Sequence, residues 1–231
     1  MGLPAFLSII STKKLYFSAI ESFYKSDPYE GESVKLIAKA IEKMGQDDAK
    51  KYRIRLDKLK KLTFINCWHM NGDESDAMWK LYANKSEGIA IQSTVKKLKK
   101  AFSHQRNDVY ISKVKYIDFE EYTPGLEFTY DQHIVLLKRK AFEYEHEVRA
   151  VTFGYDIHNS TADELHVDDT INLDDIQNIQ VDLEELVEKI VISPYSKPWF
   201  SEVVKSICDK LGYSFEVITS EMARTPPLRA T

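Results

Sequence analysis

The feature that most restricts this chain is the way strand-like and helix-like patterns follow one another without regular alternation. LTFINCW, GIAIQST, HEVRAVTF, IQVDL, KIVISP and YSFEVITS are short apolar or β-rich runs, and DVYISKVKYID alternates through Val109, Ile111, Val114 and Tyr116. Helical spacing appears at Leu3, Phe6, Leu7 and Ile10, in SDAMWKLYA behind a Ser75 N-cap, in VKKLKKAF, at 131–141 and in WFSEVVKSICDKL. Adjacent strands mixed with intervening helices imply an α+β fold, with a mixed, mostly antiparallel sheet and flanking helices, rather than regular βαβ winding. One domain over 1–231 is expected, with a helical insertion at 33–61 that Gly45 divides into two helices.

Charge and composition exclude several classes. Thirty-two basic and 36 acidic residues leave a net charge of −4, so no overall positive field draws the chain to nucleic acid or anionic lipid. Any such contact would be local, and KKYRIRLDKLKK, with Lys50, Lys51, Arg53 and Arg55, is the place for it; the commoner use of such a run is a solvated helix face. No apolar window is long enough to span a membrane, and no signal-like start or disulfide framework is present, which implies a cytoplasmic protein. Neither GxGxxG, GxxxxGK[ST] nor GxSxG occurs.

No metal site is expected, because no histidine pair has zincin spacing and Cys208 has no nearby Cys or His. Cys67 reads as a small apolar residue of a buried strand, although His69 lies two positions on. The sharper feature is FEYEHEVRAV. A strand beginning near Glu145 sends Glu145, Glu147 and Arg149 to one face, as either a solvated ion pair or a reaction site.

Three stretches, FLSIISTKKLYFSAIESFYKSDPYEG, FINCWHMNGDESDAMWKLYANKSEGIAI, and KRKAFEYEHEVRAV followed by VDLEELVEKIVISPYSKPWF, together resemble the bacterial domain of unknown function 2971 family. Their order also resembles, remotely, the plan of ADP-ribosyltransferases, and that resemblance implies NAD as the substrate. It makes Glu147 the carboxylate that stabilises an oxocarbenium-like state and Glu145 the group that orients or deprotonates an acceptor, with Arg149 beside them. Trp68, Trp79 and Tyr82 would wall a pocket for a flat ring, with His69, Asn71 and Ser75 at its mouth; Trp79 is also expected to serve largely as core. The family's members usually open with a short strand holding a tyrosine and a basic residue; MGLPAFLS lacks it, so either the start lies upstream or part of the site is lost. The functional expectation is an ADP-ribosyltransferase-like enzyme acting on a macromolecule or nucleotide, as a toxin or phage-defence effector. A non-catalytic protein- or nucleic-acid-binding module is the alternative, and a metal-dependent nuclease using Asp168, Asp169 and the glutamates the third.

Overall fold

The computed structural model describes residues 1–83, 86–103, 108–125, 131–157, 160, 166–167 and 176–224. In chain order the helices are α1 (Leu3–Thr12), α2 (Lys35–Met44), α3 (Gln46–Leu62), α4 (Asp76–Tyr82), α5 (Val95–Ala101), α6 (Leu183–Leu186) and α7 (Pro198–Lys210). The strands are β1 (Lys14–Ala19), β2 (Thr63–His69), β3 (Ile89–Gln92), β4 (Tyr110–Lys113), β5 (Lys115–Ile117), β6 (Leu137–Arg139), β7 (Glu147–Phe153), β8 (Ile176–Gln180), β9 (Lys189–Ile192) and β10 (Val217–Thr219). The fold is α+β and its sheets are mostly antiparallel. No helix among the described residues is long and apolar enough to cross a membrane.

Two compact units share the chain, one built from Met1–Leu15, Asn71–Arg106 and Ile179–Thr231, the other from Tyr16–Met70 and Asn107–Asn178. The first holds a three-stranded sheet in the order β10-β9-β3, with β9 parallel to β10 and antiparallel to β3. Its core takes Phe6 and Ile10 from α1, Leu98 from α5, Leu183 and Leu186 from α6, and Phe200, Val204 and Cys208 from α7. Phe200, Val204 and Cys208 repeat every four residues, so they form one apolar stripe along α7.

The second unit takes most of its strands from a five-stranded sheet ordered β4-β7-β2-β1-β8. β2 and β7 pair antiparallel without a break from Thr63↔Phe153 to His69↔Glu147. Ile65 and Val151 lie directly opposite one another and pack with Ile20 and Val135 as a core cluster. The two helices read within 33–61 form: Gly45, at φ 122°, separates α2 from α3, and α3 buries Leu56, Leu59 and Leu62. α2 buries no residue completely, but Ile37 is packed against the cluster of Val34, Ile117, Phe119 and Leu137.

Two expectations need correction here. The helix read at 131–141 is instead a 3-10 turn (Asp131–Leu136), strand β6 and a second 3-10 turn (Lys140–Glu145). Parallel pairing of β6 with β5 wins over helical spacing, because Val135 and Leu137 are buried in two different core clusters. The alternating run at 108–118 is two strands rather than one. It breaks at Val114, whose N–H turns to the carbonyl of Glu147, leaving β4 and β5 in different sheets.

Gly31, at φ +69°, lies just after the DPYE turn, and a Cβ there would sit 2.6 Å from Ile20 Cγ2. Both backbone strain and a clash with the core therefore oppose any side chain. Gly31→Ala should lower stability by about 1–3 kcal/mol, read as a lower urea midpoint at unchanged slope. An unchanged midpoint would mean that this turn carries no strain.

Candidate active site

In an antiparallel pair, residues directly opposite each other point to the same face. The register Cys67↔Arg149 and His69↔Glu147 therefore places these four side chains on one face of the β2-β7 pair. Trp68, opposite Val148, points to the other face, where its indole N–H donates to Asn66 Oδ1 at 2.5 Å. The aromatic expected beside the carboxylates thus lies across the sheet from them.

Glu147 and Arg149 keep the strand periodicity read from sequence, but Glu145 does not. β7 begins at Glu147, and Glu145 closes the preceding 3-10 turn. His146, in a left-handed conformation (φ 43°, ψ 51°), makes the handover. Its N–H donates to Glu143 O at 3.1 Å and its carbonyl accepts from Met70 N–H at 2.9 Å, so the ladder continues one step past Glu147. Glu145 still reaches the cluster, from the turn rather than from the strand.

What gathers there is a buried ion network. Arg149 donates through Nε to Glu147 Oε2 at 3.0 Å and through a terminal nitrogen to the same oxygen at 2.7 Å. Its other terminal nitrogen donates to Glu30 Oε1 at 2.6 Å and to the carbonyl of Val135 at 2.5 Å. Lys138 donates to Glu145 Oε2 at 2.5 Å and to Glu147 Oε1 at 3.4 Å, and lies 3.9 Å from Glu30 Oε2. Arg149, Glu30, Glu145, Lys138 and Glu147 are 1%, 3%, 4%, 8% and 9% exposed, so these pairs are not surface bridges. Formally, three carboxylates face two cations.

Burial alone would push the Glu147 carboxyl upward, but Arg149 and Lys138 outweigh it and hold the group below its ordinary value of 4.5. Burial likewise works against the Lys138 ammonium, and Glu147, Glu145 and Glu30 overcome it and raise its pKa. Arg149 is raised in the same way, chiefly by Glu30 among its partners. Removing one member strands a buried charge.

Cys67 overturns the buried-strand reading, because its side chain is exposed. The protein around it nonetheless pushes the thiol up to about 12, with the charge of Glu147 and a hydrogen bond to that carboxylate contributing. The thiol is therefore protonated at neutral pH and is not a ready nucleophile. His69 Nδ1 lies 2.6 Å from the carbonyl of Glu145, which only accepts, so Nδ1 carries a proton and donates to it. Its Nε2 is buried and has no hydrogen-bond partner among the described residues.

The other expected residues fall in the first unit. Ser75 Oγ accepts from Met78 N–H at 3.4 Å as the expected N-cap of α4, and Asn71 Oδ1 accepts from Asp73 N–H at 3.3 Å. Trp79 is buried and its indole N–H donates to Glu74 at 2.9 Å, while Tyr82 is exposed. Lys138, Glu30 and Tyr116, whose hydroxyl accepts from Glu147 N–H at 2.7 Å, were not anticipated. Glu30 belongs to the quoted DPYEG and Lys138 to KRKAF, but nothing in their spacing ties either to Arg149. Asp168 and Asp169 lie outside the described residues, and no group of three metal-ligating side chains occurs among the described ones.

Glu30→Ala or Glu147→Ala should cost about 3–5 kcal/mol, measured by denaturant unfolding. Since the Glu147 pKa is depressed on folding, its contribution is complete above 4.5 and drains away as pH falls through the lower folded value. The raised Lys138 behaves oppositely, complete below 10.5 and lost as pH climbs past the folded value. Loss of the low-pH component in Glu147→Gln checks the first assignment. Cys67 should alkylate with iodoacetamide at least a hundredfold more slowly at pH 8 than an ordinary exposed thiol, as follows from a pKa near 12 in place of 9.0. Equal rates would contradict the raised thiol pKa.

Among known proteins, residues 78–150 match the model of a family described as "Protein of unknown function (DUF2971)". No curated protein and no solved structure matches the chain. The matched stretch runs from α4 into β7 and includes Lys138, Glu145, Glu147 and Arg149, and over that stretch the chain is similar to the family.

Proposed function

We propose that the sheet face beside Cys67 binds NAD and that Glu147 stabilises the positive charge developing on its nicotinamide ribose, as in ADP-ribosyl transfer. The observation that carries this is an ionised carboxylate, fixed by Arg149 and Lys138, next to a side chain open to solvent. A carboxylate whose orientation and charge are set before the reaction needs no reorganisation when an oxocarbenium-like state forms. The surplus of one carboxylate over the two cations also favours a cationic substrate group, such as the pyridinium of NAD. The unpartnered His69 Nε2, on the same sheet face, can hydrogen-bond to a ligand.

In this reading the bond from ribose C1′ to the nicotinamide nitrogen breaks and its electron pair leaves with nicotinamide. An acceptor oxygen or nitrogen then attacks C1′, with Glu145 orienting it and taking its proton. Arg149 and Lys138 position Glu147 and do not touch the substrate. Modification of a macromolecule or nucleotide in this way would suit a toxin or phage-defence effector.

Nicotinamide release from NAD, followed by mass spectrometry with cell lysate as a source of acceptors, tests the reading. Glu147→Gln should lower release by at least about a hundredfold. The variant's melting must be recorded alongside, and Glu145→Gln serves as a milder second variant. Full release from a folded Glu147→Gln protein sinks the role given to Glu147.

A second reading rests on a separate observation. Residues 35–62 hold ten Lys or Arg against four Asp or Glu, a net +6 in a chain of −4. Lys50, Lys51 and Arg53 are exposed and make no ion pair among the described residues, while Arg55 is half-buried and engaged. Leu36, Met44 and Ile54 are exposed on the same two helices. The α2-α3 pair would then dock an acidic partner. Reversing Lys50, Lys51 and Arg53 to Glu should abolish such binding, and binding should weaken steeply with salt; salt-independent binding argues against this surface.

A further inference from the structure

The first unit contains a cavity of about 430 Å³ that shares no residue with the cluster around Glu147. That volume is in the range of small-molecule sites. Its floor is apolar and buried, formed by Ala101, Val181, Leu183 and the ring of Tyr213. Its rim is polar and exposed: Lys13, Gln180, Asp182 and Glu184.

Each wall is fixed by the backbone. Lys13 ends α1 in a left-handed conformation (φ 55°), and its carbonyl accepts from Val181 N–H at 2.8 Å. Asp182 N–H donates to Ala101 O at 3.1 Å. The Tyr213 hydroxyl donates to Ile10 O at 3.1 Å, so it has no proton left for an anionic ligand. One face of the Tyr213 ring stacks on Phe215, with centroids 4.7 Å apart and planes at 11°. Lys13 Nζ is held 5.9 Å from the ring centroid.

The chemistry of this cavity favours a positive charge. An aromatic face attracts cations through its quadrupole, and the fold already presents it with an ammonium. Two carboxylates share the rim with a single lysine, and both Glu184 and Asp182 act electrostatically on the Tyr213 hydroxyl. Asp182 Oδ1 is occupied by the N–H groups of Glu184 and Glu185, whereas the Glu184 carboxylate has no hydrogen bond or ion pair among the described residues. An anion would enter against two like charges; a neutral molecule would leave Glu184 unanswered.

We propose that this cavity binds a small organic cation, a primary amine or guanidinium on an aliphatic stem. The stem lies on Val181, Leu183 and Tyr213, the cationic head meets Glu184, and Lys13 swings out from the ring to admit it. Lys13 is then a competitor built into the site. The inference does not depend on the NAD reading.

Pentylamine, pentanol and pentanoate carry three different heads on one stem and test the charge directly, by calorimetry on the whole chain or by shifts of the Leu183 and Tyr213 amide resonances. Pentylamine should bind about tenfold more tightly than the other two. Glu184→Gln should remove that preference, and Lys13→Met should strengthen pentylamine binding. Both residues are exposed, so both variants should fold. Tightest binding of pentanoate, no binding of pentylamine at millimolar concentration, or weaker pentylamine binding in Lys13→Met would each overturn the proposal.

Discussion

The second unit depends on the desolvation of one guanidinium. Arg149 is 1% exposed, and its planar fork is met by Glu147 on its own strand, by Glu30 from the turn before α2, and by the carbonyl of Val135. A charge taken that far out of water is tolerated only when its donors are all matched, and an arginine fork suits such matching better than a lysine. The partners are therefore architectural. They tie the turn before the helical insertion, the loop before β6 and the strand β7 to one point. Lys138 then offsets part of the remaining negative charge and draws Glu145 into contact.

This gives the cluster a double reading in physical terms. Ion networks of this kind can serve the fold alone, and the four hydrogen bonds that Arg149 donates are what a structural role needs. What a purely structural network does not need is an opening. Cys67 supplies one beside Glu147, and His69 adds a buried Nε2 with no hydrogen-bond partner. Perturbed carboxylates next to an accessible side chain are candidate sites of chemistry, and the same pairing that stabilises the fold also keeps Glu147 charged and aimed.

Patterns with a local cause were legible in the sequence. The N-cap at Ser75, the break at Gly45, the stripe on α7 and the burial of Trp79 all follow from spacing within a few residues. Glu147 and Arg149 were legible because period two is a property of one strand. Glu145 was found for the wrong reason, since nothing local announces that His146 adopts a left-handed turn. Lys138 was hidden inside a stretch with helical spacing that parallel pairing with β5 turned into a strand. Glu30 was out of reach because its partner lies 119 positions away. Cys67 was misread because an apolar run predicts burial on average, while exposure is decided by what covers each face.

That separation of 119 positions between Glu30 and Arg149 bears on how the chain is born. During synthesis the turn carrying Glu30 and the strand β2 leave the ribosome well before β7 exists, and the segment Asn71–Arg106, which belongs to the other unit, is made in between. A nascent chain ending short of Arg149 exposes the edge of β2 where β7 belongs and has carboxylates with no guanidinium to receive them. The second unit cannot form its central strand pair stepwise from its amino-terminal half; it closes only when β7 arrives, and until then its unpaired β2 edge is a natural client for a chaperone.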